Sequence, residues 1–286
     1  MIYGMRQLWG YLTGTDIAGR SLAVRPDDTF IVSYPRSGNT WTRFLIANLL
    51  HPDEPATFAN IERLVPDTEA QSSRHLKRIP GPRFIKSHEY FDHRYPRVLY
   101  IVRDPRDVAL SYYDFQRKYQ QLEDNYPLEQ YVSDFVNGRL ISADWGTWAE
   151  NVASWIATRR NRKNFLLLRY EDMVSDTAGE LVRIADFLGL RASPRELDQV
   201  IERSSAERMR ELEKQQSDQW VSTKNKRKDI PFVRTALAGG WKTKLPAASV
   251  AEIESAWGPL MRFLNYELVT DEGLRATRDA RELYAR

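Results

Sequence analysis

The sequence predicts an α/β protein: one domain with a central parallel sheet flanked by helices. Three observations carry that expectation. Residues 30–50, FIVSYPRSGNTWTRFLIANLL, open on the apolar run Phe30-Ile31-Val32, cross a short polar loop, and continue with helical spacing through Trp41, Phe44, Leu45 and Leu49. Residues 97–102 (RVLYIV) and 165–170 (FLLLRY) are almost continuously apolar, as strands buried on both faces of a parallel sheet are. Helical patterns follow each of these runs.

A chain of 286 residues holds one such domain with a full core, assigned to residues 28–265 between a lead-in (1–27) and a tail (266–286). Apolar residues at 42% and charged residues at 28% suit a soluble globular protein, and no apolar run reaches the roughly eighteen residues that span a bilayer. The opening MIYGMRQLWGYLTG lacks the charged head, apolar centre and small-residue cleavage site of a secretory signal. With no cysteine, disulfides, thiolate catalysis and cysteine-ligated metal centres are excluded, and the expected location is the cytoplasm. Lys plus Arg (42) nearly cancel Asp plus Glu (39), so the net charge of +3 does not demand nucleic acid. The basic run KNKRK at 224–228 reads as a solvated loop, with contact to a polyanionic ligand left open.

The loop Pro35-Arg36-Ser37-Gly38-Asn39-Thr40 feeds the N-terminus of the first helix. Unpaired backbone N–H groups and the positive end of the macrodipole favour phosphate-like anions there. Arg36, Ser37, Asn39 and Thr40 add side-chain donors. This is not a Walker A loop, because GxxxxGK[ST] needs lysine directly after the glycine, whereas Asn39 follows Gly38 and Arg36 precedes it. YPRSGNTW (34–41) instead resembles the 5′-phosphosulfate loop of sulfotransferases that use 3′-phosphoadenosine 5′-phosphosulfate (PAPS), typically written YPKSGTTW. The resemblance implies the P-loop-kinase-like sulfotransferase fold and a cofactor-binding role for Arg36, Ser37, Gly38, Asn39, Thr40 and Trp41.

Residues 56–82 show no sustained period, so short helical turns and a share in the acceptor pocket are expected. Phe84-Ile85-Lys86-Ser87-His88 reads as a short strand with polar groups at its carboxyl end, where ligands gather in open α/β sheets. A lone histidine after a strand is structural more often than catalytic. Lys86, two residues earlier, shares its face. Lys-Ser-His resembles the family's Lys-Thr-His, which implies that His88 is the base taking the acceptor's proton, with Lys86 beside it.

The strand at 97–102 runs into Arg103-Asp104-Pro105, with Asp104 as N-cap and Pro105 as first residue of a helix to about Phe115. RVLYIVRDPRDVALSYYDF resembles the family's 3′-phosphate segment, whose arginine and serine lie eight residues apart; Arg103 and Ser111 match. A helix is expected after Pro127. Another, over 143–159, carries the stripe Trp145, Trp148, Val152, Trp155 and Ile156, which reads as core.

After the strand at 165–170, Tyr170 matches the family tyrosine that approaches adenine. Asp176 caps a helix over 178–188 with Gly189 past its end, and Ser193 with Glu196 forms a capping box. Ser204-Ser205 resembles the family's cofactor-contacting hydroxyl pair, and Ser204 is taken as the contact. Ala206 departs from the aromatic common there, leaving adenine stacking to Trp41 and Phe232. Residues 215–228 read as a mobile loop able to close over a nucleotide. Residues 232–242, FVRTALAGGWK, follow the spacing of the family's FxRKGxxGDW; Phe232 and Arg234 match, while Thr235, Ala236 and Gly240 depart. A final amphipathic helix spans 248–263.

The resemblance implies transfer of a sulfuryl group from PAPS to a hydroxyl, or an amine, of a small-molecule acceptor. His88 serves as base, Arg36 and Lys86 face the leaving oxygen, and Arg103, Ser111 and Arg234 hold the 3′-phosphate. It implies 3′-phosphoadenosine 5′-phosphate (PAP) as product, with no metal and no nucleic-acid or membrane partner; oligomeric state stays open. Two other classes stay open too. One is a P-loop small-molecule kinase, disfavoured by Arg103 where a magnesium-holding carboxylate is expected. The other is a noncatalytic polyanion-binding protein, which would leave His88 without a task.

Overall fold

The structure, a computed structural model, describes residues 16–142, 144–234, 236–271, 273 and 275; the opening 1–15, Ala143, Thr235 and most of the tail beyond 271 lie outside the described residues. In chain order the elements are β1 (Thr29–Ser33), α1 (Asn39–Leu50), α2 (Ile61–Leu64), α3 (Ser73–Arg78), β2 (Phe84–Ser87) and β3 (Arg97–Val102). There follow α4 (Pro105–Lys118), α5 (Leu128–Val136), α6 (Trp148–Arg159), β4 (Phe165–Arg169), α7 (Tyr170–Ser175) and α8 (Thr177–Leu188). Helices α9 (Pro194–Arg203), α10 (Ala206–Gln216), α11 (Trp241–Lys244) and α12 (Ala247–Phe263) complete the chain.

The four strands are parallel in the order β2-β1-β3-β4. Because the chain leaves β1 toward one edge and β3 toward the other, the crevice between their carboxyl ends is the topological switch point where such sheets bind ligands. Side chains alternate across the sheet. Phe30, Val32, Val98, Tyr100 and Val102 join one core with Val108, Trp148, Trp155 and Trp257, while Ile31, Leu99 and Ile101 join a second with Phe44, Leu45, Ile184 and Trp220. Helices α1 and α4 therefore lie on opposite faces, and their N-termini approach the crevice from either side.

The predicted caps are present. The Asp104 carboxylate accepts from the Arg106 N–H with Pro105 opening α4, Asp176 accepts from the Gly179 N–H, Ser193 and Glu196 close a capping box, and Gly189 ends α8 at φ 73°. The tryptophan stripe needs correction at its start. Thr147 and Glu150 form a capping box, so α6 begins at Trp148, and Trp145 stands before the helix, partly buried against the same core.

The segment read as mobile, 215–228, is anchored. Trp220 is 2% exposed, donates its indole N–H to Glu62 over 3.0 Å and lies against Phe58 at 4.7 Å between ring centroids. The Lys118 ammonium donates to the Arg227 and Ile230 carbonyls at 2.7 Å each. Residues 56–82 are pinned as well, because the buried Arg43 guanidinium donates to the Val65 carbonyl and to Glu62. Among the described residues no helix is long and apolar enough to cross a membrane.

Candidate active site

A cavity of about 1000 Å³ opens at the carboxyl ends of β1, β2 and β3. That is the top of the range for single-ligand pockets, roomy enough for two substrates. Every candidate catalytic or cofactor-binding residue named above lines it except Ser37 and Ser204.

The loop after β1 makes its floor. Gly38 sits at φ 97°, and a Cβ there would lie 2.6 Å from the Tyr170 ring, so glycine is required both by the backbone and by the ring packed on it. The first N–H groups of α1 lack helical acceptors, since Thr42 is the first residue to reach back, to Gly38 at 3.1 Å. Asn39 contributes through its backbone. Its side-chain amide donates to the Ile31 carbonyl (3.1 Å) and to Ser33 Oγ (3.2 Å), fastening the helix start to β1. Ser37 is fully buried behind the loop, with no hydrogen-bond partner for its hydroxyl among the described residues. It does not face the cavity.

Arg36, expected at the leaving oxygen, lines the cavity. Its backbone is left-handed at φ 67°, and its side chain reaches α4, donating from Nε to Ser111 Oγ (3.2 Å) and from Nη2 to the Phe232 carbonyl (3.3 Å). The guanidinium carbon lies between the Phe115 ring (4.9 Å) and the Phe232 ring (4.7 Å). Burial, reinforced by Arg234 and Arg103 and only partly opposed by Tyr119 and Asp114, pulls its pKa down to about 10, so it keeps its charge at neutral pH. Phe232, expected to stack on adenine, has this cation over its ring and meets Trp220 edge-on at 4.8 Å.

Arg103 donates to the Arg36 carbonyl (3.2 Å) and the Leu237 carbonyl (3.3 Å), and lies over the Tyr170 ring at 4.2 Å. Trp41 meets the same Tyr170 ring edge-on at 6.0 Å. Arg234 pairs with Asp114 at 3.1 Å. The chain after Arg234 is held by Asp107, which accepts from the Gly239 N–H (2.7 Å) and the Trp241 N–H (3.0 Å). Ser204 is buried with its hydroxyl accepting from Asn48 at 2.9 Å, and Ser205 lines the cavity in its place. Motif spacing located the pair but not which hydroxyl faces inward, because that is set by the turn between α9 and α10.

On the opposite wall stand Lys86 and His88. Lys86 is buried and its ammonium is held by Asp67 (2.9 Å) and Glu69 (3.0 Å). Burial opposes its charge, but the two carboxylates outweigh burial and raise its pKa. Glu69 also accepts the His88 backbone N–H at 3.0 Å, and although burial works against its ionisation, Lys86 and His88 hold its pKa low. Neither acid was anticipated; the irregular run 65–70 carries no period to mark them. Lys86 is therefore a paired cation and not a free one.

The His88 Nδ1 atom lies 2.7 Å from the Ser33 carbonyl oxygen. A carbonyl only accepts, so Nδ1 carries the proton and Nε2 presents its lone pair. Trp145 meets the imidazole edge-on at 5.8 Å, an active-site contact that its place in an apparent core stripe concealed. Withdrawal from water and the Lys86 charge push the His88 pKa down to about 4, against weaker upward pulls from Glu69, Asp67 and the Ser33 carbonyl. The imidazole is neutral at pH 7.

A family model described as "Sulfotransferase domain" matches residues 26–264. The 3-beta-hydroxysteroid sulfotransferase of Cavia porcellus is 31% identical over 245 residues, covering 82% of this chain and 83% of that protein. The amine sulfotransferase of Oryctolagus cuniculus is 25% identical over 232 residues, covering 77% and 75%. In overall fold the chain is similar to mouse sulfotransferase SULT7A1 complexed with PAP, with a TM-score of 0.70 at 24% identity over 93% of this chain and 92% of the other. The family match spans the sheet, the cavity floor and both cationic walls, and the chain belongs to the sulfotransferase family.

Proposed function

We propose that the protein moves the sulfuryl group of PAPS to a hydroxyl of a small-molecule acceptor, with His88 as the base. The observation that carries this is the 2.7 Å contact between His88 Nδ1 and the Ser33 carbonyl, which leaves the lone pair on Nε2 of a residue that lines the cavity. The chain's residues suit a nucleotide with phosphate at both ends. The open N–H groups of α1 suit the 5′ end, and Ser111 with Arg103 and Arg234 suits a 3′-phosphate. Gly38 lines the cavity and lets the Tyr170 ring pack onto the loop, since a Cβ there would lie 2.6 Å from that ring. Tyr170, Trp41 and Ser205 are proposed around the adenosine.

PAPS supplies an electrophilic sulfuryl group on a good leaving group. Sulfuryl transfer proceeds through a loose, in-line transition state, so positioning and charge stabilisation do most of the catalysis. A hydroxyl proton becomes acidic as its oxygen bonds to sulfur. A neutral imidazole with a depressed pKa is therefore competent to take it late in the step. Charge at the leaving oxygen falls chiefly to the α1 amides, with Lys86 contributing from within its carboxylate pair. The similarity to a hydroxysteroid sulfotransferase and an amine sulfotransferase supports acceptors of hydroxyl or amine type.

A thermal-shift titration with PAP, ADP and magnesium-ATP tests the donor site. A ligand that binds only the folded state raises apparent stability with the logarithm of its excess over Kd. Stabilisation by PAP at far lower concentration than by ADP supports the reading; preference for magnesium-ATP would replace it with a kinase.

A further inference from the structure

We propose that Asn151 is the positioning residue of the base: its buried amide ties the backbone carbonyl of His88 to that of Trp145 and so sets the imidazole against the indole beside it. The inference deepens the role proposed for His88 and rests on it.

Asn151 lies in the first turn of α6 and is fully buried. Its Nδ2 donates to the His88 carbonyl at 3.1 Å and to the Trp145 carbonyl at 2.8 Å, and its Oδ1 accepts from the Tyr100 hydroxyl at 2.8 Å. Two carbonyls can only accept, so they fix which end of the amide carries the N–H groups, and both of those groups are used. Tyr100 is itself fully buried in β3. One side chain therefore joins the middle of the sheet to the residue after β2 and to the chain entering α6. An amide withdrawn from water is costly unless its hydrogen bonds are made, and a fully made set holds its partners in one arrangement.

His88 is held at each of its parts. Its backbone N–H donates to Glu69 at 3.0 Å, its carbonyl accepts from Asn151, its Nδ1–H donates to the Ser33 carbonyl at 2.7 Å, and its ring meets Trp145 edge-on at 5.8 Å. Trp145 stands before α6 and outside its helical ladder, and its own carbonyl is taken by Asn151. Asn151 thus controls His88 twice, through the main chain and through the indole that borders the ring. His88 and Trp145 both line the cavity, whereas Asn151 sits behind that wall and acts through them. Proton transfer depends steeply on placement, and a shift of about 1 Å costs up to about 100-fold in rate.

Asn151→Ala removes both donors. With PAPS saturating and a hydroxyl acceptor, kcat is expected to fall about 10-fold, while the Kd for PAP, measured by calorimetry, changes less than about 2-fold. The His88→Ala background separates positioning from general support of the fold. With no base left to place, adding Asn151→Ala there should change the residual turnover by less than about 2-fold. An equal loss in both backgrounds would overturn the proposal, as would an unchanged kcat in the single variant or a parallel loss of PAP binding. Asn151→Ala also leaves the Tyr100 hydroxyl without its acceptor, so Tyr100→Phe combined with Asn151→Leu forms a second arm, in which both polar groups give way to apolar ones of similar shape. The same fall in kcat with intact PAP binding is expected, and wild-type kcat in that double variant would contradict the proposal. Wild-type turnover in His88→Ala alone would instead overturn the reading of the base beneath it.

Discussion

His88 and Ser33 are joined by a hydrogen bond of 2.7 Å between imidazole Nδ1 and a backbone carbonyl at the last residue of β1. The same strand end launches the loop before α1, so one peptide both fixes the proposed base and starts the proposed donor site. Their separation is set by the sheet, in which β1 and β2 pair in parallel with Val32 opposite Ser87.

Removing the base should separate chemistry from binding. His88→Ala is expected to lower kcat for a hydroxyl acceptor by about 100-fold or more while PAP still stabilises the variant as it does the wild type. Steady-state kinetics beside thermal shift check this, and a loss of PAP binding would make His88 a structural residue.

The depressed pKa sets the pH profile. Imidazole in the free protein loses its proton at about 4 instead of 6.5, so kcat/KM should stay level down to about pH 5 and fall below it. Lys86→Met removes a cation that lowers this pKa and leaves Asp67 and Glu69, which raise it, so the acid limb should move upward. For stability the sign follows from proton uptake. Between about 4 and 6.5 the unfolded chain binds the proton and the folded one does not, so the contribution of His88 is complete above 6.5 and is lost as pH falls toward 4.

Gly38→Ala should damage fold and site together. The added Cβ meets the Tyr170 ring at 2.6 and 3.0 Å, in a backbone conformation that alanine resists. A loss of about 2 kcal/mol and a Tm lower by roughly 5 °C are expected. Combining it with Tyr170→Ala should recover the steric part only, and a melting curve for each variant decides.

Asp107 anchors the chain after Arg234 by accepting from the Gly239 and Trp241 amides. Asp107→Ala leaves both donors without that acceptor. Hydrogen exchange at those two amides should quicken by about 10-fold or more, and PAP should bind more weakly. Unchanged protection would mean that the segment holds itself.

The strands, the caps of α4, α8 and α9, and the loop between β1 and α1 were legible because each rests on local chemistry: alternating or continuous apolar runs, Asp-Pro, Ser-Pro and a lone glycine. The positions of Arg103, Ser111, Lys86 and His88 in one cavity followed from motifs at strand ends. What stayed hidden depends on contacts distant in sequence. Asp67 and Glu69 meet Lys86 across a segment with no periodicity, Trp145 is separated from its stripe by the cap at Thr147, and Trp220 pins an otherwise polar segment by reaching Glu62. The direction of Arg36 was hidden for a further reason: its left-handed φ is a tertiary outcome that no neighbour in the sequence announces.

The most direct test of the account is transfer itself. Purified protein is incubated with sulfur-labelled PAPS and a panel of phenols, alcohols and amines, with His88→Ala alongside. Labelled product and stoichiometric PAP with at least one acceptor, lost in the variant, is the predicted result. Turnover of the variant at the wild-type rate with a hydroxyl acceptor would contradict the role given to His88, and phosphorylation of the same acceptors from magnesium-ATP without any transfer from PAPS would contradict the function.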